Sequence, residues 1–98
     1  MNLSEIHKKK KLFASRKVGD ELILVPIKNN VADMNEIYTL SETAGFIWEN
    51  LNEQSSENEI IKNITSEFDI DEPTARKDVN DFLENIKKII STHTDKQQ

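Results

Sequence analysis

Apolar positions change period along the chain, from a strand-like alternation in the first half to a helical spacing in the second. Leu12 to Val18 and Glu21 to Ile27 read as two strands around the turn pair Gly19-Asp20, and together they predict a hairpin. Leu22-Ile23-Leu24-Val25 is apolar at four consecutive positions, which suits a strand flanked or covered on both sides; Pro26 is read as its end. After the polar connection Lys28 to Asp33, Met34 to Leu40 gives a third strand, with Tyr38 and Leu40 on one face and Ile37 and Thr39 on the other. As a meander, the three place the second strand centrally and leave the third with a row of unpaired backbone groups.

From Ser41 the spacing is helical: Ala44, Ile47, Trp48 and Leu51 fall on one face behind Ser41 as cap. A second helix opens with Ser56-Glu57-Asn58-Glu59, a capping box, and carries Ile60, Ile61, Ile64 and Phe68. A third starts at the cap Asp71 with Pro73 in its first turn, and Ala75, Val79, Phe82, Leu83, Ile86, Ile89 and Ile90 trace one stripe. Trp48 sits on its stripe as a core residue, whereas Met34 and Phe46 lie off the stripes and are expected to be partly exposed. Ser91 to Gln98 loses the period and is expected to fray. The expectation is an α+β domain, a three-stranded antiparallel sheet followed by three helices, over residues 12–91, with a basic N-terminal tail at 1–11 and a C-terminal tail at 92–98.

Composition narrows the function classes. Ninety-eight residues fit one domain, and 36% apolar against 32% charged residues imply a thin core beneath a heavily solvated surface. A formal net charge of -5 argues against general nucleic-acid binding, which rests on neutralising phosphates. The exception is His7-Lys8-Lys9-Lys10-Lys11 with Arg16 and Lys17, read as a solvated tail or, alternatively, as a docking patch for an acidic partner. With no cysteine, disulfides, thiolate metal sites and cysteine nucleophiles are excluded. The first residues lack the apolar core of a signal peptide and no run approaches a membrane span, so a cytoplasmic protein with no membrane partner is expected.

Catalytic chemistry finds no constellation to work with. His7 and His93 lie in the two tails without neighbours that would complete a ligand set, and the serines and threonines mostly stand where helix caps belong. Asp69, Asp71 and Glu72 cluster, but the stretch lacks the glycine turn and terminal bidentate carboxylate of a calcium loop, so capping explains Asp71 better. Gly19 and Gly45, the only glycines, do not make a phosphate loop. No cofactor, metal or catalytic residue is expected. What remains is a binding surface, the open edge of the third strand, to which an extended peptide can add.

Three blocks sharpen this reading: Leu24-Val25-Pro26-Ile27; Ile37-Tyr38-Thr39-Leu40-Ser41-Glu42-Thr43-Ala44-Gly45-Phe46-Ile47-Trp48; and Asp71-Glu72-Pro73-Thr74-Ala75-Arg76-Lys77-Asp78-Val79, followed by Phe82-Leu83. In sequence and spacing they resemble the PqqD family over roughly residues 12 to 90. The resemblance implies a winged-helix-like precursor-peptide recognition element. Such a protein is a non-catalytic peptide chaperone that holds a leader peptide along its third strand and presents the precursor to a modifying enzyme such as a radical S-adenosylmethionine (SAM) enzyme. Carried onto this chain, the peptide-binding residues are Met34, Ile37, Tyr38 and Thr39 on the strand, and Arg76, Asn80, Leu83 and Lys87 on the third helix. The chain lacks glycines at Lys28-Asn29-Asn30 and a glycine stop after Ile89-Ile90-Ser91, so the implied pathway is quinone-cofactor-like or another route of ribosomally made, modified peptides.

The inventory of helices and strands also permits a winged-helix DNA binder. Against it, the third helix carries Arg76, Lys77, Lys87 and Lys88 beside Glu72, Asp78, Asp81 and Glu84, which leaves no basic face for a groove. A third reading is a homodimer paired through the third-strand edge.

Overall fold

The run of β-branched and leucine residues between the two turns organises the sheet. The computed structural model describes residues 2–29, 31–32 and 35–95, and in it β2 (Glu21–Lys28) pairs antiparallel with β1 (Phe13–Val18) from Phe13 opposite Pro26 to Val18 opposite Glu21. The Gly19-Asp20 turn closes this hairpin. Gly19 has φ +62° while Asp20 stays out of the left-handed region, the pattern of a II′ turn with glycine at its first central position. Leu22, Leu24 and Pro26 are buried on the face turned to the helices, as a central strand requires.

Pro26 does not end the strand as expected; it lies within β2 and is buried. Its consequence appears on the neighbouring strand. Of the expected run from Met34 to Leu40, only β4 (Tyr38–Leu40) is strand among the described residues, opposite Leu22 to Leu24, and a further short piece, β3 (Val31–Ala32), pairs opposite Ile27 and Lys28 inside the segment expected to be a polar connection. β1 takes up one side of β2, so both pieces share the other. Between the two ladders, β2 offers Val25 and Pro26, and a proline has no N–H to donate. Met34, which the sequence placed in this strand, lies outside the described residues.

The N-terminal segment read as a tail is a helix, α1 (Leu3–Lys9), followed by a 3₁₀ turn at Lys10–Leu12. Asn2 and Glu5 form a reciprocal capping box, with Glu5 N–H donating to the Asn2 side chain at 2.9 Å and Asn2 N–H to the Glu5 carboxylate at 3.3 Å. Leu3 and Ile6, one turn apart, are buried where α1 packs on the C-terminal helix, and Ser4 ties α1 to the Glu53 carbonyl at 3.1 Å. Part of the lysine run is structural too. Lys10 Nζ lies 5.7 Å from the centre of the Trp48 ring, and partial burial lowers its pKa against the opposing pull of Glu49.

The three expected helices form as α2 (Glu42–Asn50), α3 (Glu57–Phe68) and α4 (Glu72–Asp95), so the described residues hold four α-helices, and α4 continues to Asp95, into the segment expected to fray, whose residues 96–98 lie outside the described residues. Their caps come from local sequence. Ser41 accepts from the Ala44 N–H at 3.2 Å, Ser56 from Glu59 at 3.2 Å, and Asp71 from Thr74 at 2.9 Å. Asp69, in the left-handed region with φ 51°, ends α3, so two of the three clustered acids have backbone roles. Trp48 is 2% exposed and meets Phe13 edge-on with ring centres 5.9 Å apart; Phe46 is half-buried against Phe68 at 5.3 Å. The helices thus cover one face of the sheet around a single core.

Candidate functional site

Alternation along β4 sets what its edge offers. Tyr38 is half-buried against the core and Leu40 buried, whereas Thr39 and Ile37, the latter 49% exposed, face outward, as the period-two reading expects. β4 pairs with β2 on one side, and no described strand pairs with its other side, so that row of backbone groups can accept another strand. Near the start of β4 the Tyr38 hydroxyl donates a long hydrogen bond, 3.5 Å, to the Glu36 carboxylate, which lies 4.0 Å from Lys28 Nζ. Partial burial, followed by the negative charge of Glu36, raises the phenol pKa, while Lys28 pulls the other way.

At the far end of β4 the chain turns into α2, and a cleft of about 280 Å³ opens between this corner and α4. Leu40, Ser41, Thr43 and Ala44 form one wall; Asp78, Asp81, Phe82 and Asn85 form the other. Asp78 is half-buried, and Asp81 is paired with Lys77 at 3.0 Å on the exposed side.

The structure therefore divides the expected site residues. Ile37, Tyr38 and Thr39 stand on or beside the open edge, Tyr38 with its side chain turned inward. Arg76, Asn80, Leu83 and Lys87 share the other flank of α4. At 3.6 residues per turn they lie across the buried stripe of Ala75, Val79, Phe82 and Ile86 from Asp78, Asp81 and Asn85, the residues that face β4. Arg76 is held by Glu72 at 2.9 Å, Asn80 and Lys87 are exposed, and Leu83 packs half-buried on the core. The stripe is legible in sequence, but its two flanks are equivalent until the helix is docked. Nothing in the spacing singled out Asp78, Asp81 or Asn85.

Among the described residues, no group of three or more histidines or carboxylates is placed to hold a metal ion. A second hollow, of about 210 Å³, lies at the β1–β2 turn beside the Lys17–Glu49 pair and does not reach β4.

Comparison with known proteins places the fold and the family. A solved structure described as TbiB1 in complex with the TbiA(beta) leader peptide superposes with a TM-score of 0.60 at 26% identity, covering 79% of this chain and 84% of that one. No curated protein matches the chain. The family model for PqqD, coenzyme PQQ synthesis protein D, matches residues 21–88, a span that runs from β2 through the open edge and the cleft into α4. With most of its length matched by that model, the chain belongs to the PqqD family.

Proposed function

We propose that this chain is a non-catalytic leader-peptide-binding protein: it takes the leader of a ribosomally made precursor peptide as an added strand on β4 and presents the remainder to a separate modifying enzyme, such as a radical SAM enzyme. The observation that carries the reading is the β4 edge, which no described strand pairs, lying beside a cleft to α4, in a fold shared with a protein solved holding a leader peptide. Magnitudes support a shared role for edge and cleft. A three-residue edge supplies only a few main-chain hydrogen bonds, each contributing about 1 kcal/mol net, whereas micromolar binding needs about 8 kcal/mol after the cost of association. Side chains entering the cleft supply the difference, so recognition is selective as well as adhesive.

The test uses synthetic peptides from the N-terminal parts of small precursors encoded beside this chain, titrated into the full-length ¹⁵N-labelled protein. Submicromolar to micromolar binding is expected, with shifts concentrated at Tyr38 to Leu40 and at Asp78 to Asn85. Methylating the peptide's backbone nitrogens one at a time should abolish binding at alternate positions only, because every second N–H of an added strand points to its partner. Titrations that stay flat for every such peptide, or methylation effects without alternation, would count against strand addition.

A further inference from the structure

We infer that the leader carries a lysine or arginine at the position that comes to lie beside Leu40, with its charge held chiefly by Asp78; this rests on the strand-addition reading above. Side chains of a strand added to β4 alternate, and those on the face of Tyr38 and Leu40 point toward α4. The one next to Leu40 enters the cleft, whose lining has two chemistries. Leu40, Ala44 and Phe82 are apolar, while Asp78, Asp81 and Asn85 carry polar groups at the α4 side. An apolar leader residue would match the first set but would desolvate the half-buried Asp78 carboxylate without a partner, and an acidic one would be repelled. A long cationic side chain satisfies both, laying its aliphatic stem on the apolar wall and its head on the carboxylate. Lys77, the residue before Asp78, is engaged elsewhere: it pairs with Asp81 at 3.0 Å, in an exposed one-turn pair that contributes little, and feels Asp78 only through its field.

The experiment selects short randomised peptides displayed on phage against the full chain, then measures synthetic winners on the wild type and on Asp78→Asn, Asp81→Asn and Lys77→Ala, each checked for native circular dichroism. Winners should share lysine or arginine at one register relative to the stretch that shifts β4 resonances. Asp78→Asn, or replacing that lysine by norleucine, should weaken binding about tenfold or more, the two together no more than either alone. Asp81→Asn should cost less, and Lys77→Ala should leave affinity equal or improved. Peptides that bind along β4 without a fixed basic position, or that bind Asp78→Asn as tightly as wild type, overturn the charge inference and leave strand addition standing. Selection that yields no peptide shifting β4 resonances overturns both.

Discussion

Gly45 shows how one residue holds two elements at their distance. A Cβ built on it would meet the Leu22 Cβ at 2.9 Å, and that neighbour is fixed to the backbone of the central strand, so it cannot swing away. Replacing Gly45 by alanine gains up to about 1 kcal/mol of helix propensity, against about 1–3 kcal/mol for overpacking. The expected outcome is net destabilisation of about 1 kcal/mol, read as a lower urea midpoint at unchanged slope; a raised midpoint would contradict the close approach. Asp71 acts through its charge as well as its geometry. Hydrogen bonds from the Thr74 side chain and backbone hold its carboxyl below the ordinary value of 3.8, so the stabilisation it brings is complete above that value and lost as pH falls through the lower native one. Thermal midpoints of wild type should therefore fall relative to Asp71→Asn as pH drops below 3.8, and parallel curves would show that the carboxylate is not bonded to α4.

Among the elements, α1 is where sequence reading and structure part most. Its capping box, Asn2 with Glu5, was readable, but only Leu3 and Ile6 mark an apolar face, and the lysines that follow look like solvent-facing charge. A helix this short has little stability alone; packing on α4 holds it in place. Ile6 is fully buried, so Ile6→Ala should cost about 2 kcal/mol or more in denaturant unfolding, up to the whole docking energy of α1. A change within about 0.5 kcal/mol would return the segment to the status of a tail. The third strand is the complementary case. Alternation correctly assigned the faces of Tyr38, Thr39 and Leu40, yet the late start of β4 and the short β3 ahead of it were invisible, because both reflect what β2 offers across the sheet.

For the whole molecule, the net charge of -5 conceals a division of labour. Lys10 is spent on Trp48, Lys17 on Glu49 and Lys77 on Asp81, while the cleft beside the open edge is faced by Asp78 and Asp81. An acidic notch thus lies beside the edge of β4 that no described strand pairs, in a chain whose net charge disfavours phosphate backbones. A second copy pairing through that border would compete with the leader, so peptide and self-association are expected to exclude one another.

By itself the sequence determined the hairpin, the three later helices with their serine and aspartate caps, the placement of Trp48 in the core and the family, because each follows from local periodicity, turn chemistry or closely spaced residues. Only the tertiary structure decided that residues 3–9 are helix, that a short strand at Val31–Ala32 pairs with β2 ahead of β4, and that Asp78, Asp81 and Asn85 are the α4 residues lining the cleft beside Leu40. The reason is common to all three. Each depends on which surface of one element meets another, and a periodic stripe specifies that a face is buried without specifying its neighbour on either side.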